Sequence, residues 1–189
     1  TDRNASPPFS NDIGGDAGFD VKYGISQNVT ADLTVNTDFG QVEADPAVLN
    51  LRAFEVRFEE RRPFFEEGAA MFRCQPCQGI FYPRRIGPTP QLRGNPGDPL
   101  FTTILGAAKL TGRFAGGFNV GVLDAVTQRE TGVGGKTVGP QTNYLVTPVS
   151  RDMRRGSSSI GMISTVVNRS LDDDSRDFLR SGAYLAVVD

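Results

Sequence analysis

From Val29 to Phe39 the chain alternates. Val29, Ala31, Leu33, Val35 and Phe39 are apolar, and Thr30, Asp32, Thr34, Asn36 and Asp38 fall between them. A repeat of two puts successive side chains on opposite faces of an extended strand, so one face is apolar and the other polar to charged. The preceding segment has the same period, with Phe19, Val21, Tyr23 and Ile25 set against Asp20, Lys22 and Gly24. Only the turn at Ser26–Asn28 separates the two, which predicts an antiparallel hairpin.

The alternation returns at Thr103. Ile104, Gly106, Ala108, Leu110, Gly112 and Phe114 mark one face, and Thr103, Lys109, Thr111 and Arg113 mark the other. Ala115-Gly116-Gly117 predicts a tight turn into a strand carrying Phe118, Val120 and Val122. A polar, Gly-rich loop from Thr127 to Gln141 leads to a strand around Asn143–Val149. A turn at Arg154–Gly156 leads to a weaker strand through Ile160, Met162, Ser164 and Val166. After a polar loop at Arg169–Ser181, a last strand begins near Ala183.

These features predict an all-β fold, an antiparallel up-and-down meander. A content of 22 Gly and 12 Pro suits strands cut by turns. Strands of about 9–11 residues, with short turns at one end and long loops at the other, are the pattern of an outer-membrane β-barrel. A soluble β-sandwich also has one polar face, so the pattern by itself leaves both open. No run approaches the roughly 18 apolar residues of a spanning helix. A net charge of −2 gives no reason to expect a nucleic-acid partner.

Between the second and third strands lies an insertion, residues 41–99, with a different texture. Asp45-Pro46 predicts a short helix, Asp capping and Pro in the first turn. Phe54, Val56 and Phe58 alternate again, Pro63 interrupts what precedes it, and Cys74 to Pro99 is rich in Pro, Gly and Arg.

Candidate chemistry concentrates in that insertion. Glu59, Glu60, Glu66 and Glu67 surround Arg61, Arg62 and Pro63-Phe64-Phe65. Two carboxylates held about 5–10 Å apart could hydrolyse a glycoside; alternatively the arginines neutralise the acids and the cluster fastens a loop. Asp38, Glu43 and Asp45, with Gln41 among them, offer oxygen ligands suited to calcium, without the full loop signature of a known calcium site. No other cofactor is expected, and Asp172-Asp173-Asp174 reads as a solvated loop. Gly132–Thr137 resembles a phosphate-binding loop, but Glu130 stands where its first glycine is needed, and Gly139-Pro140 follows where a helix should begin. Histidine is absent, which removes the commonest general base and leaves Cys74 and Cys77 without partners for a zinc site in this stretch.

The motifs TVNTDFGQVEADPAVLNL, FEERRPFFEEG, FYPRRIG, ILGAAKLTGR and TNYLVTPVSRD occur in this order. With them the chain resembles, over most of Gly14 to Asp189, a bacterial family of unknown function. In that family a domain like carbohydrate-binding module family 9 precedes a C-terminal outer-membrane β-barrel region. The resemblance implies a location in the outer membrane of a Gram-negative-type envelope, with the lipid bilayer as partner. It also implies that residues 1–189 are one partial barrel domain of a longer chain, consistent with ends that look cut. A glycan or other envelope proteins would be further partners. Some relatives are labelled membrane-associated hydrolases, but no catalytic motif maps onto these positions.

On this view Asp20, Lys22, Asp32, Asp38, Lys109 and Arg113 set the polarity of a lumen that the insertion enters or caps. Cys74 and Cys77 would form a small disulfide ring in an oxidising compartment. The function expected is a pore, transport component or surface scaffold. The alternatives are an envelope glycan hydrolase using Glu59, Glu60, Glu66 and Glu67, or a soluble carbohydrate-binding sandwich.

Overall fold

The computed structural model describes residues 18–36, 58–72, 80–154 and 157–189. Its strands, in chain order, are β1 Phe19–Ser26, β2 Val29–Val35, β3 Ile104–Phe114, β4 Phe118–Thr127, β5 Glu130–Thr131, β6 Thr137–Gly139, β7 Gln141–Met153, β8 Ser158–Ser170 and β9 Gly182–Val188. Seven of them form one sheet in the order β1-β2-β3-β4-β7-β8-β9, every neighbouring pair antiparallel. The chain is therefore all-β, an antiparallel meander, with β5 and β6 as a small hairpin inside the loop from β4 to β7.

All three short connections lie at one end of the sheet, at residues 27–28, 115–117 and 154–157, and the long ones lie at the other. The turn end is stepped. Gly112 pairs with Val29, the first residue after the first turn, yet β3 runs on to Phe114 before turning. Arg151 pairs with Phe118, the first residue after the second turn, and β7 again runs two residues further, to Met153. Such a stagger slants strands against the axis of a curved sheet. Gly117 permits the second turn: its φ is +80°, and a Cβ there would lie 2.5 Å from the Asp152 carbonyl oxygen.

One face of the sheet is covered. Phe65, Phe72 and Ile86, from the segment between β2 and β3, form a buried cluster with Ile104, Ala107, Leu123, Ala125, Val146 and Ile163 of the sheet. Each of the larger side chains, the two alanines apart, contributes about 2 kcal/mol by leaving water. The covering layer is built from one turn of helix, α1 (Pro63–Glu66), and two 3₁₀ turns at Ala69–Phe72 and Pro83–Arg85. Pro63 does not merely interrupt: it opens α1, where its missing N–H costs nothing.

Among the described residues nothing covers the other face. Phe19, Val21, Tyr23, Leu33, Val35, Phe114, Phe118, Ile160, Met162, Tyr184 and Val188 are exposed, and the register puts them on a single side of the sheet. Leu33 is 46% exposed and Tyr184 72%. One expectation about faces is corrected. Ile104 does not share a side with Gly106 and Ala108, because a bulge between Ile104 and Gly106 turns it inward, opposite Thr127, where it is buried.

Candidate functional site

The covered face carries the charge. Lys22, Asp32 and Lys109 occupy successive cross-strand positions on β1, β2 and β3, so the pleat aims all three at the covering layer. Lys109 is 3% exposed. Its ammonium pairs with Asp32 Oδ2 at 3.3 Å, lies 4.7 Å from the centre of the Phe64 ring, and donates to the carbonyls of Phe64 (2.5 Å) and Glu67 (2.7 Å). Those carbonyls belong to the end of α1, where the last C=O groups have no partner within the helix. Lys109 thus caps α1 from the sheet. Lys22 pairs with the Glu67 carboxylate in the same junction, and that hydrogen bond holds the Glu67 carboxyl below the usual range. Asp32 Oδ1 is buried with no hydrogen-bond partner among the described residues.

Asp20 and Arg113 share this face but stand apart from the junction, exposed and opposite Thr34 and Asn119. Asp38, Glu43 and Asp45, the calcium candidates, lie outside the described residues, as do Cys74 and Cys77 and the predicted helix start at Asp45-Pro46. Among the described residues no three His, Cys, Asp or Glu groups gather as metal ligands would.

The Glu59–Glu67 cluster divides by role. Arg62 grips Glu60 with two parallel bonds, Nε to Oε1 at 2.8 Å and Nη2 to Oε2 at 2.7 Å. The remaining N–H groups of Arg62 donate to the carbonyls of Ile86 (2.8 Å) and Pro83 (2.9 Å), and its guanidinium stacks 4.2 Å over Phe65. Burial pushes the Glu60 carboxyl up, but the bonds from Arg62 and the Arg61 N–H outweigh it and leave it below the usual range. Arg62 and Glu60 together staple α1 to the 3₁₀ turn at Pro83–Arg85. Glu59, Arg61, Glu66 and Glu67 sit at the surface of the layer, and the Glu59 carbonyl accepts from Arg84 at 2.7 Å. A glycosidase acid needs a raised pKa; Glu60 and Glu67 are both held low.

Two polar fasteners at the loop end went unread in the sequence. The Asp98 carboxylate accepts the N–H groups of Asn95 (2.8 Å), Gly94 (2.9 Å) and Val133 (2.8 Å), which bring its pKa down to about 2. The glycine-rich turn that resembled a phosphate cradle thus offers a backbone N–H to an anion, but the anion is Asp98 of the same chain. Gly132 makes the approach possible: a Cβ there would lie 2.4 Å from Asp98 Oδ1. Asp172 accepts from Thr137 (2.6 Å), Ser175 (2.7 Å) and Arg129 (3.1 Å), tying the β8–β9 loop to the β5–β6 hairpin. Both links join residues some 35 positions apart, which local pattern does not report.

Polar groups on the bare face are paired among themselves. Asn143 donates to both oxygens of Asp124 at 3.1 Å, Ser164 to Thr147 at 3.2 Å, and the Tyr184 hydroxyl to Asn168 at 3.0 Å. The Arg151 guanidinium lies 5.0 Å over the Phe118 ring at the turn end.

The family described as "Domain of unknown function (DUF5916)" matches residues 6–188, all but the first five residues and the last. Comparison with the curated proteins and with the solved structures gave no match.

Proposed function

We propose that this chain, which belongs to the DUF5916 family, forms part of the wall of a bacterial outer-membrane β-barrel whose interior holds the segment between β2 and β3 as a plug. The observation that carries the reading is the bare apolar face. Seven strands present Phe, Tyr, Val, Leu, Ile and Met outward on one side, with no second layer over them among the described residues. Monomeric proteins in water rarely leave so broad an apolar surface uncovered, whereas hydrocarbon accepts it. Mutual pairing of Asp124 with Asn143 and of Thr147 with Ser164 supports the same reading, because a polar group without a partner is costly in lipid. Short turns at one end, long loops at the other and the stagger of the turns agree with it.

The barrel would serve as a plugged transport route or a surface scaffold, with glycan capture as a role for the wider assembly. In this role Lys22, Asp32, Lys109, Glu60 and Arg62 hold the plug rather than perform chemistry. A soluble carbohydrate-binding sandwich would need a second sheet over Val21, Leu33 and Val35. A glycan hydrolase would need one of Glu59, Glu60, Glu66 or Glu67 as a protonated acid. Detergent-phase partitioning with heat-modifiable gel migration tests the reading. The barrel predicts recovery in the detergent phase and a faster unheated band; recovery in the aqueous phase without detergent contradicts it.

A further inference from the structure

Among the described residues the apolar face of the sheet carries two charged side chains, Asp124 and Arg151. Asp124 stands six residues along β4 from Phe118 and is held by Asn143. Arg151 stands at the border. The register sets Phe114, Phe118, Arg151 and Ile160 in one row across β3, β4, β7 and β8, and β7 ends two residues later, at Met153. The Arg151 guanidinium lies 5.0 Å over the Phe118 ring, and its Nε donates to the Gly116 carbonyl at 3.4 Å. Neither contact offsets its charge, and its two Nη groups have no acceptor among the described residues. Asp152, its neighbour in sequence, is on the opposite face, where it accepts from Asn119. The next row inward from Arg151, formed by Gly112, Val120, Val149 and Met162, is apolar throughout. A cation with unused donors therefore tops an apolar strip, at the end of the sheet where the turns are short.

We infer that Arg151 binds the phosphate of an anionic phospholipid whose acyl chains lie along Val120, Val149 and Met162. The charges are complementary, and a planar guanidinium matches the oxygens of a phosphate. Aromatic side chains such as Phe114 and Phe118 belong at the level where hydrocarbon meets headgroups, and the short turns of such a barrel lie on its periplasmic side. The lipid is accordingly one of the periplasmic leaflet. The inference rests on the barrel reading and deepens it, by naming the lipid that the turn end meets.

The chain has no Trp, so Ile160→Trp, directly across from Arg151, is a single reporter of the lipid beside that arginine. In liposomes of phosphatidylcholine and phosphatidylglycerol, with bromine on the acyl chains of one or the other, quenching of this Trp reads which lipid sits there. Phosphatidylglycerol is expected to bind about five times tighter than phosphatidylcholine, the effect of one basic residue at an anionic membrane surface. Arg151→Gln should bring that ratio to about one, and Arg151→Lys should keep most of it, because the charge remains. Arg113→Gln, which removes a cation from the covered face, should leave the ratio unchanged. The heat-modifiable band shows that each variant is folded. Equal quenching by the two brominated lipids, or a ratio that survives Arg151→Gln in folded protein, overturns the inference and leaves the barrel. Quenching by neither lipid overturns the barrel and the lipid site together.

Discussion

Lys109 and Asp32 pair across β3 and β2 beneath α1, and the same ammonium reaches two carbonyls at the end of that helix. One lysine thereby joins the sheet to the layer that covers it. Lys109→Met should strip α1 of its cap and leave the Asp32 carboxylate buried without its cation. Breaking a buried pair in this way costs about 3–5 kcal/mol. Asp32→Asn combined with Lys109→Met should cost less than the single change, because no buried charge is then left alone. Denaturant titration of the four proteins in detergent checks this, and strict additivity would show that the two do not interact.

Acid should loosen the staple at Glu60. Its carboxyl is held below the ordinary glutamate value, so the stabilisation is complete above that ordinary value and is lost as pH falls through the lowered one. The protection factor of the Ile86 amide, which corrects for the slower chemical exchange in acid, should fall between pH 7 and pH 3 in the parent. Glu60→Gln should show the faster exchange already at pH 7. The Asp98 fastener follows the same sign but lies at about 2, so protection of the Gly94 and Val133 amides should persist at pH 3.

At Gly121 the covering layer lies directly against the sheet. A Cβ there would fall 2.8 Å from Pro148 Cγ and 3.2 Å from Phe72 Cζ. Gly121→Val should displace Phe72 and cost about 1–3 kcal/mol, the usual penalty of overpacking. Phe72→Ala, costly by itself, should cost less in the Gly121→Val chain than in the parent, which thermal unfolding of the four proteins would reveal.

Strands β1 and β2 were legible because their outward residues are apolar and their inward ones, Gly24 apart, are polar, as in Phe19–Gly24 and Val29–Val35. The bulge at Leu105 was not: an extra residue inverts the phase of a repeat of two, but only Ile104 of β3 lies beyond it, too short a stretch to show the inversion. Strands β7 and β8 are longer than their pattern suggested. Thr147, Ser164 and Asn168 interrupt the apolar side, and Pro148, which has no N–H to give, lies opposite the gap in the β4–β7 register. The charge cluster at Glu59–Glu67 could be read as a fastener, but not what it fastens. Arg62 reaches carbonyls more than twenty residues on, and Lys109 reaches others more than forty residues back.

Leu33→Arg separates lipid from water as the medium of the bare face. Leu33 stands among Val21 and Ala108 on that face. Facing hydrocarbon, an arginine there should cost about 2–4 kcal/mol; facing water, a surface change of this kind stays within about 0.5 kcal/mol. The folded fraction in liposomes, read from the heat-modifiable band, distinguishes the two.

The most direct measurement is a nitroxide scan along β2 in liposomes, each label placed singly from Val29 to Val35 in a chain with Cys74 and Cys77 replaced by Ser. Relaxation by oxygen, which concentrates in hydrocarbon, should exceed relaxation by a water-soluble nickel complex at positions 29, 31, 33 and 35. It should fall at 30, 32 and 34, which face the plug. Nickel access matching or exceeding oxygen access at 31 and 33 would place that face in water and contradict the account.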